Sequence, residues 1–513
     1  MLRKMFFRFS VLTLLIATVS SCSKKAREYT HVIPSDAMVV SMDLKSLTDK
    51  AGIQGNDAEQ MKQTLLDAVT RGTDASTRSQ IEKVIRDPSE SGIALDEPFY
   101  IFSSPTIQGN VAMAIKTSNI KNLRNTLKAF STVNSQNGYE YVTLGQRGPL
   151  LAFNETTVLI LSNNSAPTDE LRRSAEKLMK QTAENSIREQ KGFRKMTDQK
   201  GEITFWAPLS AFPNAELLKS SMAVPTEIDL EQVAVIGGFS FEKGKAVAEI
   251  DYYTENKEAK KLLDRRSDAI GSINNTYLKN LPASTLGFMS FSIHGEELYK
   301  MLQENPEFRR AIPGDATEQL ESVCKAFKGD ITLALTGVSL DRRFNPNPSF
   351  VMLAEVKDKA SIRELHRLIE EEGATMQIRK RGEGEYVMSV DMEIFLGERD
   401  KTFYVTNELS LLANLDKGLD KSLKDASYAS HAKGKSMYGV VDIASILDMP
   451  LVKLAAGMGG EEAQTYYQLG SLFEYVEFYV EKDSKTTFVL QMSNKETNAL
   501  KQVVDFARGF AGL

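Results

Sequence analysis

Five blocks of this sequence recur in the same order, with offsets between 233 residues (Lys200 to Lys433) and 248 residues (Ile33 to Leu281). Each block joins an apolar, strand-like run to a turn or an amphipathic helix. A repeat of this length indicates domain duplication rather than a solenoid of short repeats. The alternative is two unrelated α+β halves with a similar order of elements. The paired segments are 33–40 with 281–289, 111–127 with 351–369, 140–161 with 385–405, 200–212 with 433–446, and 233–262 with 473–500.

Each half predicts the element order β-α-β-β-α-β-β-β-β-α. Strands that follow one another without a helix between them pair antiparallel. The expected fold is therefore α+β, with two tandem, internally duplicated halves whose largely antiparallel sheets pack against helices. We place the halves at 31–270 and 280–513, with the boundary in the polar stretch 271–275. We also expect helices in the charged segments 50–90 and 170–200, and a flexible glycine-rich loop at 457–460.

The first 21 residues have the layout of a bacterial lipoprotein signal peptide. A basic start at 1–8 precedes an apolar run at 9–19, and small residues precede Cys22. A helix over that run spans about 16 Å, roughly half of a hydrocarbon core, which is short for a membrane span and suits a signal peptide. The alternatives are an ordinary secretory signal with an incidental cysteine, or a short membrane anchor.

We expect cleavage before Cys22, lipidation of its thiol with palmitate-type chains, and a lipidated tether at 22–30. Two or three acyl chains on one residue anchor a protein stably. By resemblance to the sorting rules of lipoproteins, Ser23 favours the outer membrane. Basic residues such as Lys24 and Lys25 favour its periplasmic face. The alternative role of these charges is a solvated tether near anionic head groups.

The composition of residues 22–513 is that of a globular protein. The length of this segment suggests two to four domains. No later apolar run is long enough to cross a bilayer, and a net charge of −5 predicts no binding to nucleic acid. Only Cys324 remains beside Cys22, so the mature chain can form no intramolecular disulfide. Its helical setting indicates a buried structural thiol, with a reactive thiol as the alternative.

Local motifs for catalysis or metal binding are missing, so the sequence predicts no catalytic residue, no metal and no cofactor. His366 is expected to face solvent on a charged helix. The Gly434-Lys435-Ser436 run ends like a phosphate-binding loop, but it lacks the first glycine and precedes a strand. Ser118 begins a Ser-x-x-Lys motif and is better explained as a helix cap. The four histidines are far apart in sequence: His31, His294, His366 and His431.

Trp206 is the one side chain that the sequence offers as a ligand contact. It is the single tryptophan and lies in Phe205-Trp206-Ala207-Pro208. An indole in this setting could stack on a sugar ring, as in sugar-binding proteins. The alternative is a role in the core or at a domain interface. Its counterpart in the second half is expected near Gly439.

Three features together resemble one known family. They are Cys22, the opening Ile33-Pro34-Ser35-Asp36-Ala37, and segment 47–53 with Lys50-Ala51-Gly52-Ile53. The chain resembles envelope lipoproteins from Bacteroidota of about this chain's length, classed as a domain of unknown function. The resemblance covers nearly the whole mature chain and rests on structural turns and strands. It implies an envelope lipoprotein and no established activity; only the lipidated Cys22 carries over.

Two function hypotheses follow. The first is a non-enzymatic, membrane-anchored envelope lipoprotein that binds or scaffolds a partner, such as an envelope protein, peptidoglycan or a glycan. The second is an envelope hydrolase, for example acting on glycan, with an unrecognised acidic site beside Trp206. A deep pocket with convergent ionisable groups would favour the hydrolase. An exposed apolar patch or a shallow groove would favour the binding protein.

Overall fold

The computed structural model describes the protein in thirteen pieces, and the predicted signal peptide and Cys22 lie outside them. No helix within these pieces is long and apolar enough to cross a membrane. The described residues are 28–69, 75–107, 111–145, 148–162, 168–212, 229–264, 269–304, 308, 314–340, 345–372, 377–389, 392–482 and 484–511.

All strands of the described residues belong to one antiparallel sheet of 20 strands, so the expected mixed α+β class with antiparallel pairing is confirmed. The strands are β1 Met38–Met42, β2 Phe99–Ser103, β3 Val111–Lys116, β4 Asn134–Gln136, β5 Tyr139–Thr143, β6 Leu150–Phe153, β7 Thr157–Leu161, β8 Ile203–Pro208, β9 Ala234–Glu242, β10 Lys245–Tyr253, β11 Gly287–His294, β12 Phe327–Leu340, β13 Pro346–Val356, β14 Ile378–Gly382, β15 Glu385–Ser389, β16 Glu393–Arg399, β17 Thr402–Thr406, β18 Met437–Asp442, β19 Phe473–Val480 and β20 Thr486–Met492.

The described α-helices include the ones expected at 50–90 and 170–200. The glycine-rich segment 457–460 is not the expected loop, because Gly459 alone separates two helices there. The helices are α1 Leu44–Lys50, α2 Asn56–Val69, α3 Ala75–Arg86, α4 Ile120–Lys128, α5 Thr168–Met179, α6 Lys191–Thr197, α7 Lys257–Asp264, α8 Gly295–Glu304, α9 Gly314–Ala326, α10 Lys359–Glu372, α11 Leu409–Leu412, α12 Ile443–Asp448, α13 Pro450–Met458, α14 Gly460–Ser471 and α15 Ala499–Ala511.

The spatial order of the strands is the same in both halves of the chain. From its outer end to the centre, the first half runs β4-β5-β6-β7-β3-β2-β1-β8-β9-β10. The second half runs β14-β15-β16-β17-β13-β12-β11-β18-β19-β20. The two inner strands, β10 and β20, pair antiparallel from Lys245↔Gln491 to Ile250↔Thr486, so one sheet continues through both halves.

The proline turns before β1 and β11 are built alike. Pro34 bridges Ser186, and Pro282 bridges Ser422. In the first turn the Ser35 N–H donates to the Asn185 carbonyl at 2.9 Å. In the second turn the Ala283 N–H donates to the Lys421 carbonyl at 3.3 Å. A proline lacks its own N–H, so it suits a position where the chain enters a sheet from a turn.

Helices cover one face of the sheet in each half, whereas on the other face they cover the outer strands and parts of the inner strand β9. We call the face that carries Val39, Trp206 and Val440 the core face; one large cluster packs on it in each half. On the opposite face, which we call the open face, α1 and α4 cover the outer strands of the first half. Helix α10 covers the outer strands of the second half, and α7 packs against β9.

Two rows of apolar residues cross the centre of the open face, and we call them the apolar strip. Neighbours in each row pair directly across adjacent strands. The rows run from β8 or β9 through the join between the halves to β13. They are Ile203, Phe239, Ala248, Phe488, Phe478, Gly439, Met289, Leu333 and Met352, and Phe241, Ala246, Leu490, Val476, Val441, Gly287, Leu335 and Phe350.

The polar stretch 271–275 is tied into the second half. The Gly271 N–H donates to the Ser292 carbonyl at 2.8 Å, and the Ile273 N–H donates to the Lys435 carbonyl at 2.9 Å. Buried Asp330 accepts the N–H of Asn274 through both carboxylate oxygens, at 3.0 and 3.1 Å. These bonds hold the chain between the halves in a defined path.

Candidate functional site

The core face positions Trp206 at the inner side of the first half. Its strand, β8, lies between β1 and β9, where Trp206 pairs with Val39 and Ile236. The indole is 6% exposed and belongs to the largest apolar cluster of the first half. It meets the Tyr253 ring edge-on, with centroids 5.8 Å apart. Trp206 is the fourth residue of β8, and the fourth residue of β18 is Val440, next to the expected Gly439.

The indole N–H of Trp206 is buried and has no hydrogen-bond partner among the residues that the structure describes. A buried donor normally has a partner, and leaving one unsatisfied costs about 1–3 kcal/mol. The ring is fixed from behind, because a Cβ added at Gly192 of α6 would lie 2.1 Å from it. The ring therefore belongs to the core, while its N–H donor has no acceptor in the described part of the chain.

A cavity of about 490 Å³ opens beside this indole, and we call it the Trp206 pocket. It combines aromatic, amide and carboxylate side chains. Asp36 accepts a hydrogen bond from the Ser104 hydroxyl at 2.6 Å. The lining includes Asp36, Gln190, Trp206, Glu231, Gln232, Tyr253, Glu255 and Asn256.

Glu255 is the best anchored carboxylate of the Trp206 pocket. It accepts from Lys191 Nζ at 2.9 Å and from the Tyr253 hydroxyl at 3.0 Å. The hydrogen bond from Lys191, followed by that from Tyr253, holds the pKa of Glu255 below its usual range. Burial, together with the neighbouring carboxylate, raises the pKa of Tyr253. Both groups thus keep their usual charge states near neutral pH.

A second polar cluster, which we call the seam cluster, lies on the core face where the halves meet. The Glu477 carboxylate is 3% exposed and lies 3.0 Å from His431 Nδ1. It also accepts from the Tyr438 hydroxyl at 2.6 Å. A cavity of about 310 Å³ beside it is lined by strands of both halves, including Lys245 of β10 and Gln491 of β20. Burial, followed by the charge of Glu477, raises the pKa of Tyr438.

In the described part of the first half, the position that matches Glu477 of the seam cluster is occupied by Ile236. Glu477 pairs with Val440, just as Ile236 pairs with Trp206 in the matching strands. The fold accepts a fully buried isoleucine at that point, so the architecture does not require a carboxylate there. Sequence reasoning missed the cluster because 46 residues separate its histidine from its glutamate. The one available signal was Glu477 as a second glutamate, after Glu474, in a strand whose other residues are aromatic or valine.

Other residues singled out in the sequence occupy mainly structural positions. Cys324 lies in α9, 9% exposed, and burial raises the pKa of its thiol. His366 does not simply face solvent, since its ring packs against Tyr386 and its buried Nε2 has no hydrogen-bond partner among the residues described. The cap of α4 is Asn119 rather than Ser118, because Asn119 accepts the N–H groups of the first turn. Across the described pieces, no three acidic, histidine or cysteine side chains are grouped to hold a metal ion.

The fold and these sites define a mixed α+β protein built on one long antiparallel sheet, with an aromatic and acidic pocket on the core face. A family model described as "Domain of unknown function (DUF4836)" matches residues 29–500. The chain therefore belongs to that family. No curated protein and no solved structure matches the chain.

Proposed function

We propose that the protein is a lipoprotein of the bacterial envelope whose folded part binds a glycan without converting it. The observation that carries the binding role is the buried indole N–H of Trp206, which lies beside a 490 Å³ cavity and has no partner among the described residues. A sugar presents hydroxyl oxygens that can accept this hydrogen bond and C–H faces that pack on aromatic rings. The amides and carboxylates around it can accept or donate the remaining hydrogen bonds.

The membrane anchor is proposed from Cys22 and the segment before it. The basic start, the short apolar run and the small residues at 20–21 support cleavage and acylation at this cysteine. Acyl chains on Cys22 would hold the protein at the outer membrane, facing the periplasm. The likeness to Bacteroidota lipoproteins supports the same assignment.

We expect Cys22→Ala to abolish incorporation of labelled palmitate and to move the protein out of the membrane fraction, because the thiol carries the acyl chains. Metabolic labelling and fractionation of a producing bacterium measure both effects. The matched control is Cys324→Ala, which leaves labelling unchanged. Labelling that survives in the Cys22→Ala protein would exclude this anchor.

Glycan binding can be followed without an added dye, because Trp206 is the single tryptophan. Titration with chitotriose, maltotriose or cellotriose should give a saturable change in its emission for at least one of them. Trp206→Phe keeps an aromatic ring and removes the N–H. Losing one hydrogen bond of about 1.4 kcal/mol weakens binding about tenfold, which calorimetry measures.

Tyr139→Phe is the matched control for that experiment. Tyr139 is also buried, and its hydroxyl also has no partner within the described ranges. It lies at the outer strands of the first half and does not line the Trp206 pocket. We expect this variant to bind the saccharide as the parent does. Binding that is absent for every saccharide, or weakened equally by both variants, would contradict the glycan assignment.

One observation favours the alternative function, an envelope hydrolase acting on glycan. Three carboxylates, Asp36, Glu231 and Glu255, line the same pocket as Trp206. Glycosidases use two carboxylates across the bond that they cleave. Chromatography of the titrated saccharides decides between the two functions. A hydrolase would release shorter sugars and would lose turnover, but not binding, in Asp36→Asn or Glu255→Gln.

We also propose that the two halves arose by duplication. The identical strand order and the matching proline turns support it. Asn256 and Asn494 support it too, since each accepts the N–H groups two and three residues further on. Superposition of 31–270 on 280–513 tests this origin; strands that match in order but not in space would count against it.

A further inference from the structure

The apolar strip on the open face is partly exposed, although its composition is that of a core. Phe239, Phe488 and Leu333 are 42%, 41% and 39% exposed, and Val441 is 49% exposed. Apolar patches of a few hundred Å² on a monomer are commonly binding surfaces. We propose that the strip binds the acyl chains of individual lipid molecules.

The central strands reverse the usual alternation between buried and exposed residues. In β20, Thr487 is 2% exposed, while its neighbour Phe488 turns to the open face. In β19, buried Glu477 precedes Phe478 in the same way. A strand normally places its apolar residues towards the core and its polar residues towards water. Apolar residues on the open side of several successive strands therefore indicate an occupant.

The floor of the strip is flattened at β18, in the second half. Gly439 lies in the row between Phe478 and Met289, and a Cβ there would lie 2.2 Å from the Phe478 ring. The ring thus lies across the glycine backbone of β18 instead of standing away from the sheet. A flat apolar floor suits a flexible, narrow occupant.

The chemistry of the strip favours hydrocarbon over a peptide. Both rows contain only apolar side chains and glycine. Each strand beneath the strip between its end strands is paired on both sides, so its backbone offers no place for an added strand. These strands are β9, β10, β20, β19, β18, β11 and β12. A peptide laid over the strip would leave its own N–H and C=O groups without partners. An acyl chain has no such groups to satisfy.

The dimensions of the strip also favour acyl chains over a second copy of the protein. Nine strands about 4.8 Å apart give a length of about 38 Å, and the two rows lie about 7 Å apart. The resulting area of roughly 270 Å² is about a third of the ~800 Å² that each partner buries in a standard stable interface. Two acyl chains laid end to end fit within its length, since they span a hydrocarbon core of about 30 Å.

The N-terminal end of the described chain separates the strip from the anchoring membrane. Tyr29 and Val32 are buried in the core-face cluster with Trp206, so the chain emerges on the face opposite the strip. The residues between Cys22 and Glu28 reach at most about 20 Å. This point rests on the proposed anchor at Cys22, and it favours single lipids over the anchoring bilayer as the source of the chains.

The test uses the full mature chain with Cys22→Ser and the fluorescent fatty acid cis-parinaric acid. We expect saturable binding that weakens at least tenfold in Phe488→Ser/Leu333→Ser. The matched control is Leu454→Ser on α13, an apolar residue that is 59% exposed outside the strip. We expect it to bind as the parent does. Circular dichroism checks that all three proteins are folded.

Three results would overturn the proposal. One is no saturable binding, or equal loss in the strip and control variants. The second is a dimer in the parent that becomes monomeric in the strip variant, which would assign the surface to a second copy. The third is strip-dependent sedimentation with phosphatidylglycerol vesicles, which would assign it to a bilayer. Labelling at Cys22 and the Trp206 titration do not depend on these outcomes, so each proposal fails separately.

Discussion

Phe102→Ala in the first half and Leu353→Ala in the second should lower one and the same unfolding transition. Both side chains are 1% exposed, in different apolar clusters. Truncating a buried phenylalanine or leucine to alanine costs about 3–5 kcal/mol, because packing is lost and a cavity remains. The halves should respond together because their sheets are joined through β10 and β20.

Further contacts across the join strengthen this expectation. Lys485 Nζ lies 2.6 Å from Glu249, and the Asn498 side chain donates to the Phe241 carbonyl at 2.9 Å. Helix α15, the last element of the chain, packs on β9 and α1 of the first half. Scanning calorimetry measures the transition, with exposed Leu454→Ala as the control that leaves it near its parent temperature. Two transitions, each moved by only one variant, would show that the halves unfold independently.

Stability should fall steeply as the pH rises above 10. Burial raises the pKa of Tyr386 and Tyr475 to about 12, and it also raises the pKa of Tyr277, Tyr428 and Tyr438. An unfolded tyrosine titrates near 10. The unfolded chain therefore loses protons first, and the stability that is fully present below pH 10 is lost as the pH rises towards the folded values.

Each of these tyrosines contributes a loss of about 1.4 kcal/mol per pH unit above 10. Together they remove on the order of 5 kcal/mol or more by pH 11, a large part of the 5–15 kcal/mol that typically stabilises a fold. Urea unfolding at pH 8, 10 and 11 measures the loss. Tyr475→Phe keeps the ring against Tyr428 and removes one ionisable group, so its stability should fall less with pH. An equal slope in the two proteins would contradict this origin of the alkaline loss.

The sequence predicts the elements of this fold better than their arrangement. Turns at Pro34 and Pro282, and helices after β3 and β13, follow from local chemistry and helical spacing. The predicted element order lacks the last three strands and the last helix of each half, which are β8, β9, β10 and α7 in the first half and β18, β19, β20 and α15 in the second. The segments that form them are nevertheless among the repeated blocks. Period-two alternation identifies β10 and β20 as strands, but it does not say which strand each one pairs with.

The candidate sites were predicted only in part, for a physical reason. Trp206 stood out because it is the single tryptophan, and the structure adds the cavity and the unpartnered N–H. Glu477 and His431 could not be paired in advance, because strand order alone brings them together. The apolar strip could not be predicted from the sequence either. Phe488 has the character of a core residue, and only the tertiary structure shows that it lies on the open face of β20. Local pattern determines the alternation of a strand, while tertiary structure determines which side meets water.

Within the described residues, joining the halves also leaves the sheet with two unpaired edges, where two separate ten-stranded sheets would have four. The two strands that are hidden, β10 and β20, are long and rich in apolar residues. Those left outermost are β4, a short Asn-Ser-Gln run, and β14, which carries Arg379, Lys380 and Arg381. Short polar or strongly basic outer strands resist pairing with other chains. Continuity of the sheet thus protects the protein from aggregation, and a half produced alone would expose the border that the other half conceals.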